Sequence, residues 1–220
     1  MHRWLIVAAL GILCGCSEES TAPDMTAAAE PVTLKWLFGA ARTADAEEPF
    51  VPLRSEHSSL DSGDALHMRL ELSEPVHVYV VLEDSAGDVT VLFPRSADEL
   101  DVSHPLPSVF EILDGVRLDD KPGTETFHLL AARRPLTDLA ELVRPTLSGP
   151  PLVPVETSVG KALLTRIQRL KKDHLGLATP TTRPVALAGT RRNGDELAEH
   201  GTEFTTDTFL YKQFAIAHRS

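Results

Sequence analysis

The run Val76-His77-Val78-Tyr79-Val80-Val81-Leu82-Glu83 leads into Asp84-Ser85-Ala86-Gly87-Asp88 and then into Val89-Thr90-Val91-Leu92-Phe93-Pro94. β-Branched and aromatic residues fill both apolar stretches, and branching at Cβ suits them to a pleated strand better than to a helix. The five residues between are turn formers, with Gly87 where a positive φ is needed, so the segment predicts a β-hairpin. Pro94 stops the return strand because it has no N–H to give to a ladder. Upstream, Ala65-Leu66-His67-Met68-Arg69-Leu70-Glu71-Leu72 alternates, with Leu66, Met68, Leu70 and Leu72 on one face and His67, Arg69 and Glu71 on the other. Such alternation marks a strand with one face buried. Further strands are expected around 32–38, at 125–132 and at 208–217, the two at the ends of the body closing the sheet.

Helical spacing is confined to two places. Thr137-Asp138-Leu139-Ala140-Glu141-Leu142-Val143 predicts a short helix with Thr137 as N-cap and Pro145 beyond its end. A longer helix is expected over 157–174, where Val159, Leu163, Leu164, Ile167 and Leu170 recur on one side and Gly176 follows as a stop. Its other side carries Lys161, Arg166, Arg169, Lys171 and Lys172. These cations read either as a solvated face near the negative end of the helix macrodipole, or as a docking patch for an anionic partner or membrane surface. The fold expected is mainly β: an antiparallel β-sandwich, Ig-like or related, with one inserted α-helix near the C-terminus that covers an open edge or end before the last strand.

The beginning of the chain has a different character. Trp4 to Leu13 is apolar, follows Arg3, and is far shorter than the ~20 residues a membrane-spanning helix needs, so residues 1–15 are expected to be a signal peptide. Leu13-Cys14-Gly15-Cys16 resembles the lipobox of bacterial lipoproteins, with an apolar residue three before the cysteine and a small one directly before it. Leu13 and Gly15 meet that pattern for Cys16, whereas the competing Cys14 would be preceded directly by bulky Leu13. The resemblance implies lipidation at Cys16, and Ser17 in place of a retention aspartate implies the periplasmic face of an outer membrane. Three acyl chains exceed the two signals that stable anchoring takes.

Residues 16–30 are small, polar and acidic without apolar periodicity, a flexible tether whose last fourteen residues span about 20 Å r.m.s. as a random coil. Residues 31–220 are expected to form a single β-rich domain. The chain contains 21 Lys and Arg against 32 Asp and Glu, and removing 1–15 takes only Arg3, leaving a net charge of −12. That balance argues against a nucleic-acid partner. Both cysteines of the chain lie at the lipobox, so the mature body has no pair from which to make an internal disulfide.

Several pieces together resemble the bacterial domain-of-unknown-function family 4384. They are Ser62-Gly63-Asp64 before the alternating strand, Val78 to Pro94, Pro122-Gly123-Thr124-Glu125-Thr126-Phe127-His128-Leu129-Leu130-Ala131-Ala132-Arg133-Arg134-Pro135-Leu136, and the closing Phe214-Ala215-Ile216-Ala217-His218-Arg219. The family-like core covers 50–136. The resemblance implies a β-rich extracytoplasmic or receptor-like module and carries no catalytic residues with it. Within it Gly63 and Asp64 read as a tight turn, the hairpin of Tyr79 and Gly87 as the sheet centre, and Phe93-Pro94 as its end. The region 96–121, where the family often places a loop, is long and acidic here and reads as lid, binding loop or spacer.

Chemistry-bearing patterns are sparse. His67 and His77 are candidates to face each other across adjacent strands as a metal pair, with Glu71 or Asp64 as third ligand, but no compact ligand spacing supports them, and no metal or cofactor is expected. No Gly-x-Ser-x-Gly, phosphate loop, Cys-x-x-Cys or His-Glu-x-x-His occurs, and Leu147-Ser148-Gly149-Pro150-Pro151 reads as a loop. The acid pairs Asp119-Asp120 and Glu47-Glu48 read as solvated charges. Two function classes follow. The first is a non-enzymatic, membrane-anchored lipoprotein acting as a binding or adaptor module in the cell envelope, held by its lipid and meeting a protein partner. The second is an extracytoplasmic enzyme or ligand-binding protein with a pocket built from His67, His77 or His128 and a carboxylate.

Overall fold

Where a strand alternates, one of its faces is covered; where it is apolar throughout, both are. Both kinds occur in the computed structural model, which describes residues 31–41, 51–53, 58–102, 107–174, 181–190 and 196–219, with the backbone alone at 51, 186–190 and 196–200. The elements in chain order are β1 (Val32–Ala41), β2 (Val51–Pro52), β3 (Ser58–Asp61), β4 (Ala65–Leu72), β5 (His77–Glu83), β6 (Val89–Phe93), α1 (Ala97–Leu100), β7 (Ser108–Arg117), β8 (Gly123–Ala132), α2 (Thr137–Val143), α3 (Thr157–Asp173), β9 (Thr181–Thr190), β10 (Glu196–Thr206) and β11 (Phe209–Arg219). They form two sheets, ordered β7-β4-β1-β10-β9 with β2 also on β1, and β3-β11-β8-β5-β6. All pairs are antiparallel except β3 with β11. The protein is a β-sandwich with helices on its C-terminal side, as the sequence predicts.

The sheets meet through one apolar core. From the first sheet come Leu34, Trp36, Phe38, Leu66, Met68, Leu70 and Leu72; from the second, Val78, Val80, Phe127, Leu129 and Ala131. Aromatic rings join the two layers, Phe38 edge-on to Phe127 at 4.9 Å and Trp36 stacked on Phe214 at 5.7 Å between centroids. A second core lies on the opposite face of the second sheet. There the odd-numbered Tyr79 and Val81 of β5, with Leu130 and Ala132 of β8, pack against Leu139 and Val143 of α2 and Leu163, Ile167 and Leu170 of α3. The architecture is therefore three-layered: first sheet, second sheet, helices. Each fully buried leucine or isoleucine of α3 contributes about 1.5–3 kcal/mol by leaving water.

Several expectations are corrected by this arrangement. The helix covers the outer face of the second sheet, not an edge, and three strands follow it. β8 is the centre of that sheet, with two strands on either side, and the Tyr79 hairpin of β5 and β6 is one flank. The terminal strands do not close one sheet together, since β1 is central in the first and β11 lies in the second. Region 96–121 holds α1 and β7. Strand β7 escapes pattern reading because Glu111, Asp114 and Gly115 interrupt its apolar residues and its pairing with β4 shifts register twice. The N-cap position of α2 is Leu136, with no side-chain cap; Leu136 packs against the second core, and Thr137 is already helical. Pro145 does not end the helical path, which runs on as a 3-10 turn over Arg144–Ser148 with proline in its first turn, where a missing N–H costs little. Gly63 and Gly87 have φ of +87° and +83°, and the Phe93-Pro94 peptide is cis.

The two cores predict different responses to mutation. Val80→Asp places an unpaired carboxylate between the sheets and should abolish the cooperative unfolding transition. Leu163→Ala should leave a folded sandwich whose unfolding free energy is lower by about 2–5 kcal/mol in denaturant titration. A well-folded Val80→Asp protein contradicts the assignment of the inner core.

Candidate functional site

α3 is held by its apolar side and presents its polar side to solvent. Gly160 lets it approach β6 closely, since a Cβ there would lie 3.0 Å from the Cβ of Val89. Lys171 and Lys172 fall in the last turn, where the unpaired carbonyls of the helix end favour positive charge. Of the five cations, two are engaged: Arg166 donates to Asp138 of α2 at 2.9 Å, and the Lys171 ammonium sits 5.1 Å from the centre of the Tyr211 ring. Lys161, Arg169 and Lys172 are exposed and form no ion pair with any described residue. Between them an open cleft of about 320 Å³ is lined by Lys161, Ala162, Thr165, Arg166 and Arg169. No acidic residue occurs in the helix before Asp173. A shallow, cation-walled depression of this kind suits an anionic group approaching from outside; chemistry on a substrate needs more enclosure.

The histidines singled out by sequence are not brought together. His67 lies on β4 in the first sheet, 3.5 Å from Asp114 of β7, and His77 lies on β5 in the second, its Nδ1 3.3 Å from the Leu100 carbonyl. The proposed metal pair therefore spans two sheets and does not form, and Glu71 and Asp64 do not complete it; among the described residues no group of three or more His, Cys, Asp or Glu is placed to hold a metal ion.

His128 is buried on the helix-facing side of β8. Its Nδ1 is 3.0 Å from the Tyr211 hydroxyl, which donates to Gln213 at 3.1 Å, and its Nε2 is 3.6 Å from Glu83. Burial pushes the imidazole below its ordinary pKa, Glu83 opposes that, and Lys171 reinforces it. Burial, aided by Glu83, pushes the Tyr211 phenol up to about 12. This is a hydrogen-bonded chain beneath α3, and none of its members lines the α3 cleft.

One constellation was invisible in the sequence. Ser62 Oγ is 3.1 Å from His218 Nε2, and His218 Nδ1 is 3.9 Å from the buried Glu125, the order of a serine–histidine–acid triad. Its hydrogen bonds are those of a latch. Ser62 Oγ donates to the Arg219 carbonyl, and the amides of Ser62, Gly63 and Asp64 donate to the carbonyls of Arg219, Leu118 and Asp61. These amides are thus committed and unavailable to a developing oxyanion. Burial and then Asp84 raise the pKa of Glu125, against the pull of His218. The cluster fastens the β3–β4 turn to the end of β11, which is the work that Gly63 and Asp64 share; Asp64 is buried and accepts from the Asp61 amide at 2.9 Å.

Tyr79 is fully buried in the second core, its hydroxyl pushed up to about 12 by burial and the neighbouring Asp101. Phe93 packs edge-on to Phe110 at 4.9 Å, fixing the hairpin end against β7. Cys16, the tether, Glu47-Glu48 and Gly176 lie outside the described residues. No family model, no curated protein and no solved structure matches the chain.

The lowered His128 pKa sets a pH dependence. Below about pH 6.5 the unfolded chain protonates this histidine while the folded one resists, so its contribution to stability is full above that range and is lost as pH falls toward the folded-state pKa. His128→Gln should flatten the fall in unfolding midpoint between about pH 7 and pH 5. An unchanged pH profile in the variant contradicts the buried, neutral assignment.

Proposed function

We infer that this protein is a non-enzymatic, lipid-anchored binding module of the bacterial envelope, attached through Cys16 and working as an adaptor on the periplasmic face of the outer membrane. The observation that carries this reading is the exposed cation face of α3 with its open cleft, set on a rigid three-layer body. It joins a sequence whose first thirty residues read as signal, lipobox and acidic tether. The alternative of a histidine–carboxylate pocket finds no support in the described residues, where His67, His77 and His128 have separate surroundings. The resemblance to the domain-of-unknown-function family 4384 agrees with an exported β-rich module and rests on the quoted residues alone.

Metabolic labelling with palmitate and membrane fractionation test the reading. Full-length protein should be labelled and sediment with membranes, Cys14→Ala should behave the same, and Cys16→Ala should be folded, unlabelled and soluble. Label or membrane retention in Cys16→Ala overturns the anchor.

A further inference from the structure

The positive charge of the molecule is concentrated in its helical segment. Residues 133–174, which contain α2 and α3, carry eight Lys and Arg against four Asp and Glu, a net +4 in a chain of −11, so the remainder holds −15. The positive segment forms the outermost layer on one side, and the first sheet is outermost on the other, with Val109 exposed on its β7 edge strand. The helix layer is thus the basic part of an acidic chain, and charges more than a Debye length of about 8 Å away are largely screened from whatever the helices touch.

The described chain begins at the end of the sandwich where α3 finishes. Arg133, which opens the positive segment, donates to the Pro31 carbonyl at 2.7 Å and pairs with Glu74, which in turn accepts from the Thr33 amide at 2.7 Å. Its neighbour Ala132 pairs with Phe209, and the Phe209 ring stacks at 4.2 Å on His174, the C-cap of α3. Pro31, the first described residue, therefore lies at the same end of the body as the lysine-bearing end of α3. Fourteen residues between Cys16 and Pro31, at the r.m.s. span of about 20 Å expected of a random coil, make even weak attraction between the anchored body and the bilayer intramolecular and so effective.

We propose that the α3 face rests on the anionic phospholipid headgroups of the membrane that holds the anchor, with Lys161, Arg169 and Lys172 as the contacting cations, so that the first sheet is turned outward toward the periplasm. This rests on the anchored reading and assigns the α3 face an occupant. Each cation close to an anionic leaflet raises occupancy roughly fivefold, so removing three disperses the contact without touching the lipid anchor.

The test uses the full mature lipoprotein reconstituted in vesicles of phosphatidylcholine, with or without phosphatidylglycerol. The mature chain's own cysteine is the anchor Cys16, so Gln168→Cys on the α3 face and Val109→Cys on the first sheet each add one labelling site. The Gln168 fluorophore should be quenched by nitroxide-headgroup lipid severalfold more in phosphatidylglycerol vesicles than in phosphatidylcholine, high salt should reverse this, and the Val109 fluorophore should respond to neither. Lys161→Glu/Arg169→Glu/Lys172→Glu, checked for an unchanged unfolding midpoint, should lose the quenching yet still float with both vesicles. Floating with both vesicles while the Gln168 signal ignores lipid charge keeps the anchor and overturns the α3 contact. A protein that floats only with phosphatidylglycerol, in a manner abolished by the triple substitution, keeps the contact and overturns the anchor. Crosslinking of the α3 face to an acidic envelope protein, with no lipid-dependent signal, overturns the contact in favour of a protein occupant.

Discussion

The structure depends on burying both faces of its second sheet. β5 is apolar from Val78 to Leu82 and β8 from Leu129 to Ala132, so there neither face can be left to water, and a two-layer sandwich would strand Tyr79, Val81, Leu130 and Ala132 on the outside. The chain meets this by spending its helical segment there. Leu139, Val143, Leu163, Ile167 and Leu170 complete the second core, and Gly160 permits the close approach that seats α3 over β6. The first sheet, whose β4 strand alternates, keeps His67, Arg69 and Glu71 of that strand on its outer face.

Covering the second sheet with helices has an electrostatic by-product. A helix laid on a sheet shows its polar side outward, and here that side is basic in an otherwise acidic chain. The start of β1, held through Arg133, Pro31 and Glu74, lies at the end of the sandwich where α3 finishes. Packing and charge distribution thus share a cause, the placement of residues 133–174 as a third layer.

Buried polar groups serve this framework. His128 is hydrogen-bonded to Tyr211 beneath α3, and Ser62, His218 and Glu125 tie a turn to the last strand. The second cluster shows why an atomic arrangement needs its whole hydrogen-bond inventory before it is read as chemistry. Its serine and neighbouring amides are already satisfied by carbonyls, so the triad-like order of atoms holds a turn in place.

By itself the sequence determined what short-range physics controls: the hairpin with its positive-φ Gly87, the alternating β4, the strands near both ends of the body, the lengths of α2 and α3, and the sandwich class. Local propensity and periodicity are sufficient for these, because each is decided within a few residues. The five cations of α3 were also legible, since helical spacing alone places them opposite the apolar stripe. Only the tertiary structure decided which strands are neighbours, that β8 and not the hairpin is central, that β7 occupies what read as a loop, and that the helices form a layer. It also separated His67 from His77 and joined Ser62 to His218 across 156 residues of chain. The reason is that strand order and layer order are settled by long-range burial. The sequence marked β5 and β8 as strands, but that both faces of their sheet would be covered, and by which segments, depended on the whole chain packing together.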